Sequence, residues 1–168
     1  MRRDPSYEAA LTGLCERYGG SPDQRVLAEL SREYRSRATR AFEQIDPEII
    51  SIVATLREHG FRLGVITDSS DLDTAPWIES EFAPYFDDLV ASHEIGSLKR
   101  AQKTFSIACQ RLDVHPSDAI FVGDGGGNEL GFSQALGTRR RTGAPGSSDR
   151  WPEGRRPGKL PGRRLAAV

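Results

Sequence analysis

Residues 121–130 have the sequence FVGDGGGNEL, and this stretch decides the fold prediction. The apolar run at 119–122 predicts a short buried strand, which Gly123 and Asp124 end abruptly. Glu129 follows five residues after Asp124, where the pattern predicts the start of a helix. A strand that delivers a carboxylate to a glycine-rich turn before a helix is typical of magnesium and phosphate sites in α/β proteins. The stretch therefore predicts an α/β fold with a site at the carboxyl edge of its sheet.

Helices and strands alternate along the chain on the amino-terminal side of this stretch. Apolar residues at helical spacing, glycine stops and short apolar runs predict, in chain order, helices at 7–18, 26–42 and 47–59, strands at 61–66 and 86–91, a helix at 101–112, the strand at 119–122 and a helix at 128–136. Trp77 and Phe82 are predicted to anchor the irregular loop between the first two strands. Alternation of this kind favours parallel strands joined by right-handed crossovers.

Composition divides the chain into three parts. Residues 1–46 are predicted to form a small helical segment and residues 47–138 an α/β core. Residues 139–168 are rich in Gly, Pro and Arg and carry a net charge of +7, so they are predicted to be a disordered basic tail. No apolar run is long enough to span a membrane, and the first residues do not resemble a signal peptide. We therefore expect a cytoplasmic protein that binds neither membranes nor nucleic acid.

Three segments together resemble motifs of the haloacid dehalogenase-like (HAD) superfamily, in its phosphatase-like subgroup with a small helical cap. They are VITDSS at 65–70, SHEIGSLK at 92–99, and VGD at 122–124 with Glu129. The resemblance implies a three-layer Rossmann-like core with a parallel sheet, and makes residues 1–46 the helical cap. For the parent enzyme it implies magnesium-dependent hydrolysis of a small phosphorylated metabolite through an aspartyl-phosphate.

The resemblance also implies roles for individual residues. Thr67 would place its hydroxyl on a phosphoryl oxygen, and Lys99 would act as a fixed positive charge beside the phosphate. Asp68 and Gly125 would complete the substrate-binding surface. Of these residues, Thr67 and Lys99 are expected to be catalytic.

Magnesium is the cofactor that the resemblance implies. Asp124 would hold the ion directly, and Glu129 would support its water shell or Lys99. We expect weak binding, because a first-strand carboxylate that contributes to such sites is not found in this sequence.

The family's first strand, an apolar run ending in Asp-x-Asp-Gly that carries the nucleophile, is not found. Asp4 follows Met1-Arg2-Arg3, Asp46 precedes a proline at a helix start, and Asp71 and Asp73 lie after the second strand of the family pattern. Because the first strand is central in the family's sheet, its loss should leave two buried edges unpaired or force them together. We therefore expect an incomplete core, marginal stability and no hydrolysis by the chain as written.

Three alternatives stay open at this point. The chain could be a non-catalytic module that keeps a phosphate pocket, or an interaction protein whose open sheet edge accepts a strand from a partner or a second copy. Haloacid dehalogenase-type chemistry is the third alternative, because the nucleophile region is the part that would decide between the two reactions. Cys15 and Cys109 have neither metal-site nor disulfide spacing and are expected to be free thiols.

Overall fold

The computed structural model describes residues 5–99, 101–123, 129–135, 137, 139–142 and 166–167. Its helices are α1 (Tyr7–Arg17), α2 (Gln24–Glu43), α3 (Pro47–Glu58), α4 (Asp71–Thr74), α5 (Ser92–Ile95), α6 (Gln102–Arg111) and α7 (Glu129–Ala135). Its strands are β1 (Arg62–Thr67), β2 (Asp88–Ala91), β3 (Ala119–Gly123), β4 (Arg139–Thr142) and β5 (Ala166–Ala167). The predicted helices and strands are confirmed to within a few residues, whereas the one-turn helices α4 and α5 were not predicted. None of the described helices is both long and apolar enough to cross a membrane.

Capping residues explain where the three longer amino-terminal helices begin. The side chains of Ser6, Asp23 and Asp46 each accept a backbone N–H from the first turn of α1, α2 and α3 respectively. A side-chain oxygen at this position satisfies one of the amide donors that a helix start leaves without a partner. Asp46 is therefore a structural cap, as its position before Pro47 indicates.

The five strands form one parallel sheet in the order β2-β1-β5-β3-β4. Consecutive pairs β1-β2 and β3-β4 are joined by segments that contain helices, as parallel strands require. The predicted α/β class with a parallel sheet is therefore confirmed.

The central position of the sheet is only partly filled. Strand β5 pairs with β1 through 62↔166 and 63↔167, and with β3 through 119↔166 and 120↔167. Beyond these pairs, no strand of the described residues bonds to 64–67 or 121–123 across the gap. The predicted incompleteness is confirmed, but the edges are neither wholly unpaired nor forced together, because β5 separates them at their amino ends.

The prediction of a wholly disordered tail needs correction at two places, since β4 and β5 lie inside residues 139–168. Strand β4 is rich in arginine, RRRT, and pairs with β3 at the outer edge of the sheet. Charged residues are common on edge strands because one side of such a strand faces solvent. Both strands pair with residues far away in sequence, which local composition does not indicate. The rest of this segment lies outside the described residues.

Helix α6 covers one face of the sheet and forms the main core. Phe105 of α6 is 1% exposed, and its ring stands perpendicular to that of Phe121 in β3, with centroids 4.9 Å apart. Ile66 of β1 and Val90 of β2 belong to the same cluster, together with Ile95 and Ala108. At the far end of α6, a Cβ added to Gly64 would lie 2.9 Å from the Leu112 side chain, so glycine allows this close approach.

An aromatic cluster around Trp77 lies on the other face. Its ring contacts Phe42 from α2, together with Phe82 and Phe86, at centroid distances between 5.4 and 5.9 Å. Val65 alternates with Ile66 and therefore points to this face. The prediction that Trp77 and Phe82 anchor the loop is confirmed, and the cluster also fixes the end of α2.

Asp87 joins α3, β1 and β2 through a backbone hydrogen bond and two ion pairs. Its carboxylate accepts the backbone N–H of Leu63 at 2.8 Å and pairs with Arg57 and Arg62. Burial alone would raise the pKa of Asp87. The Leu63 hydrogen bond and the two guanidinium groups outweigh burial, so the pKa lies below its ordinary value of 3.8.

We expect the folded protein to lose stability in acid partly through Asp87. Because the pKa is lower when folded, the stabilisation is present above pH 3.8 and is lost as pH falls through the lower folded value. An Asp87→Asn variant should be less stable by about 1 kcal/mol at pH 7. Melting curves at pH 7, 4 and 3 should show this difference shrinking toward acid. A difference that stayed constant down to pH 2 would contradict the assignment.

Candidate functional site

The carboxyl ends of β1 and β3 lie at the same edge of the sheet. Residue 167 pairs with Leu63 on one side and with Ile120 on the other. Counting three residues onward along the parallel strands places Ile66 level with Gly123. The loops that follow Thr67 and Gly123, which the sequence motifs single out, therefore begin at the same carboxyl edge of the sheet.

Thr67 and Lys99 belong to segments that a backbone-to-side-chain hydrogen bond holds together. Thr67 is the half-buried last residue of β1, and Asp68 follows it into solvent. The backbone N–H of Lys99 donates to Asp68 Oδ1 at 2.6 Å. The loop that carries Lys99 is thus tied to the residue next to Thr67.

Ser92, which the sequence did not identify as a site residue, holds the turn after β1 in place. Its hydroxyl accepts the backbone N–H of Ser69 at 3.0 Å and lies 3.2 Å from the Ser69 carbonyl oxygen, to which it donates. His93 Nδ1 lies 3.2 Å from that carbonyl oxygen as well. Ser92 is 5% exposed. A buried serine immediately after an apolar strand was the available signal, because such a hydroxyl needs a partner.

The acidic residues after β1 have structural partners. Asp71 Oδ1 accepts the backbone N–H of Tyr7 at 2.9 Å. Asp73 forms a capping box with Ser70, in which each side chain accepts the other residue's backbone N–H. Tyr34 also hydrogen bonds Asp73, and this bond and then burial raise the pKa of Tyr34. These contacts join α1 and α2 to the turn after β1 and agree with the expectation that neither aspartate is a nucleophile.

A pocket of about 320 Å³ adjoins Thr67 on the face that carries Trp77. Its described lining combines Thr67, Ser69, Asp73 and Thr74 with the apolar residues Ala41, Phe42, Ile45, Val65, Trp77, Phe82 and Leu89. None of these residues is lysine or arginine. A phosphoryl group would therefore not find a compensating positive charge among the residues that line this pocket. The positive charge that the motifs supply is that of Lys99, whose backbone N–H is bonded to Asp68.

The predicted metal-binding side chains lie outside what the structure describes. This holds for Asp124, and Glu129 is described only as the first residue of α7. Gly125, which was predicted to bind substrate, lies outside the described residues as well. Within the described part of the chain, no group of three or more His, Cys, Asp or Glu side chains is arranged to hold a metal ion. The described residues consequently supply no donor set that fits magnesium.

The thiols offer no substitute nucleophile. Cys109 is 3% exposed in the core beneath α6, and burial raises its pKa, which disfavours the reactive thiolate. Cys15 lies partly exposed on α1, away from β1. Both are free, as predicted.

Fold and site together define a class of protein, namely a Rossmann-like α/β protein with polar loops at the carboxyl edge of a parallel sheet. A family model described as haloacid dehalogenase-like hydrolase matches residues 5–135. The chain therefore belongs to this family of hydrolases, and the resemblance stated from its motifs is confirmed.

Curated relatives agree with this assignment, and a solved structure shares the fold. The chain is 34% identical over 114 residues to a glyceraldehyde 3-phosphate phosphatase of Methanopyrus kandleri, a match that covers 66% of this chain and 48% of the relative. It is 29% identical over 113 residues to a phosphoglycolate phosphatase of Nitrosospira multiformis, covering 62% and 48% respectively. The crystal structure of a HAD phosphatase from Thermococcus onnurineus superposes with a TM-score of 0.60 at 20% identity, over 80% of this chain and 59% of that chain. The chain thus spans about half the length of the curated relatives it matches.

Proposed function

We propose that this chain forms the phosphate-binding part of a phosphomonoester hydrolase that acts on a small phosphorylated metabolite. The observation that carries the proposal is the hydrogen bond between Lys99 N–H and Asp68 Oδ1, which ties the lysine segment to the end of β1. Phosphatases among the relatives favour this reaction over dehalogenation. In this proposal Thr67 and Lys99 contact the phosphoryl oxygens, with Asp68 and Gly125 beside them.

Two backbone amides that follow Thr67 already have hydrogen-bond partners. The N–H of Ser69 donates to Ser92, and the N–H of Ser70 donates to Asp73. An anion at this edge would have to displace these bonds before using either amide. The Thr67 hydroxyl and the Lys99 ammonium are therefore proposed to carry most of the binding free energy.

Two further elements complete the proposal. Residues 5–46 would act as the cap segment, since α1 and α2 pack against the turn after β1 through Tyr7 and Tyr34. Asp124 and Glu129 would hold Mg²⁺, which when bound would neutralise charge on the phosphoryl group. The metal-binding role of Asp124 and Glu129 rests on sequence resemblance.

We propose further that the 168-residue chain alone binds phosphate without hydrolysing esters. Asp68, Asp71 and Asp73 follow β1, and each accepts a hydrogen bond that fixes its carboxylate. The strand that carries the family's nucleophile, an apolar run ending in Asp-x-Asp-Gly, is not found in this sequence. This observation favours the non-catalytic phosphate-binding alternative for the isolated chain.

Inorganic phosphate should raise the melting temperature of the purified chain. At ten times its dissociation constant, a ligand that binds the native state alone adds about 1.4 kcal/mol of stability. Thr67→Val removes the hydroxyl at similar volume and should abolish most of this gain, as should Lys99→Met. Thr55→Val, on an exposed position of α3, is the matched control and should keep the full phosphate effect.

Two further measurements test the remaining parts of the proposal. Addition of Mg²⁺ should increase the phosphate effect in the unmodified chain but not in Asp124→Asn. Turnover of p-nitrophenyl phosphate should stay at the buffer rate. Hydrolysis abolished by Thr67→Val would refute the non-catalytic assignment, and an unchanged melting temperature with phosphate would refute the binding site.

A further inference from the structure

The pocket beside Thr67 lies over β1 and β2, on the face of the sheet that carries Trp77. Its described lining comes from the carboxyl end of α2 and Ile45, from these two strands, and from the segment 69–82. Among the described residues, none from β3 or β5 lines the pocket, so its lining does not depend on the partly filled centre of the sheet. Thr67 belongs both to this lining and to the proposed phosphate site, and the two are therefore continuous.

Apolar side chains supply most of the described lining. Val65 and Leu89 are paired in the register of β1 and β2, and Phe42, Trp77 and Phe82 lie around them. The ring of Trp77 stands edge to face with the rings of both Phe42 and Phe82, at centroid distances of 5.9 Å. All five side chains are only half-buried although they are apolar. A ligand that covered them would remove apolar surface from water, which is favourable.

The volume of the pocket suits one small organic group, since it is about 320 Å³. Small-molecule pockets in proteins range from about 300 to 1,000 Å³, and an apolar cavity of about 150 Å³ is sufficient to bind benzene. The pocket beside Thr67 therefore has room for a single aromatic ring with a substituent.

The charges around the pocket disfavour an anionic organic group. The described lining contains neither lysine nor arginine, and Asp73 is its one charged residue. The Asp73 carboxylate accepts the backbone N–H of Ser70 at 2.7 Å, and Tyr34 of α2 hydrogen bonds it as well. A second carboxylate in the pocket would lose its water and face Asp73 without a compensating cation, which is costly. An uncharged group does not meet these costs.

One polar group of the lining also lacks a protein partner. The Ser69 hydroxyl oxygen is buried and makes no hydrogen bond to any described residue, although the Ser69 backbone N–H and carbonyl oxygen both pair with Ser92. Buried hydroxyl groups in native proteins usually have a partner, so an unpaired one indicates a ligand or a water molecule. Because Ser69 lines the pocket, its hydroxyl is available to a group bound there.

We propose that the pocket beside Thr67 binds the organic group of the phosphorylated ligand, and that this group is uncharged, apolar and about the size of one aromatic ring. The phosphoryl group lies at the sheet edge against Thr67, and the organic group lies over Val65 and Leu89 beside the aromatic rings. The apolar lining and the Asp73 charge together select against a carboxylate at this position. The inference rests on the proposed phosphate site, because Thr67 joins that site to the pocket.

Isothermal titration calorimetry with four compounds tests the proposal on the complete 168-residue chain. Phenyl phosphate should bind about 10–100-fold more tightly than inorganic phosphate, because its ring buries as much apolar surface as a large side chain does. 2-Phosphoglycolate carries a carboxylate instead of a ring and should bind no more tightly than inorganic phosphate. Phenol, which has the ring without the phosphate, should bind with lower affinity than phenyl phosphate.

Filling the pocket should remove the preference for the ring. Ala41 lines the pocket but is itself exposed on α2, so a larger side chain can be introduced there without overpacking the core. Ala41→Phe should bring the affinity for phenyl phosphate close to that for inorganic phosphate and should weaken the binding of phenol. Ala28→Phe, at an exposed position of α2 outside the described lining, is the matched control and should keep the preference.

The outcomes separate this inference from the proposed phosphate site. If inorganic phosphate binds but phenyl phosphate binds no more tightly, or if 2-phosphoglycolate binds more tightly than phenyl phosphate, the inference is wrong and the phosphate site stands. An equal loss of preference in Ala28→Phe would show that the ring binds elsewhere. If phenol binds and Ala41→Phe weakens it while inorganic phosphate does not bind, the phosphate site is refuted, and with it the assignment of the bound group to a phosphate ester.

Discussion

Replacing Phe105 by alanine is expected to destabilise the protein by about 3–5 kcal/mol, enough to unfold much of the population at 25 °C. Phe105 is 1% exposed and makes the perpendicular ring contact with Phe121 that joins α6 to β3. Removing the ring leaves a cavity between helix and sheet, where Ile66 and Val90 also pack. Because the centre of the sheet is only partly filled, we expect the unmodified chain to have a small free energy of unfolding.

Urea titration followed by circular dichroism would measure this effect. Phe105→Leu keeps most of the apolar volume and should cost less than about 1.5 kcal/mol, so it serves as the matched control. Equal stability of the alanine and leucine variants would mean that the contact with Phe121 contributes little. A cooperative transition of the unmodified chain with a free energy of unfolding above about 10 kcal/mol would contradict the expectation of marginal stability.

Ser92→Ala is expected to cost about 1–3 kcal/mol and to weaken phosphate binding at the same time. The substitution removes the hydroxyl that pairs with both the N–H and the carbonyl oxygen of Ser69. The Ser69 N–H would lose its partner in the half-buried turn that follows Thr67, and the Ser69 carbonyl oxygen would keep only His93 Nδ1. A looser turn holds Thr67 and Asp68 less well, so Ser92 acts as a positioning residue.

The two effects of Ser92→Ala can be separated by experiment. Urea titration gives the change in stability, and the phosphate-dependent shift in melting temperature gives the change in binding. Ser51→Ala, at an exposed position of α3, should alter stability by no more than about 0.5 kcal/mol and leave the phosphate shift intact. If Ser92→Ala lowered stability but retained the full phosphate shift, the role of Ser92 would be structural alone.

Most elements of the fold could be predicted because their signals are local. Apolar residues at helical spacing, glycine stops and the Asp46 cap before Pro47 specify the first three helices. Short apolar runs between polar turns specify β1 and β3. The one-turn helix α5 escaped prediction because four residues are too few to show a helical period.

The candidate site was predictable to a smaller extent. Thr67 and Lys99 were singled out by their motifs, and the Lys99 to Asp68 hydrogen bond brings their segments together. The pairing of Ser92 with Ser69 was not foreseen, because 23 residues separate them and neither segment shows a local pattern that requires the contact.

The sequence by itself determined the family, the order of helices and parallel strands, and the residue types at the sheet edge. These properties depend on periodicity, capping and motif spacing, which are properties of neighbouring residues. Only the tertiary structure decided that β4 and β5 join the sheet, that β5 stands between β1 and β3, and that Ser92 holds the turn after β1. Each of these depends on hydrogen bonds between residues far apart in the chain. Such bonds form when a donor and an acceptor come within about 3 Å of each other in the folded molecule. No local sequence pattern encodes that approach.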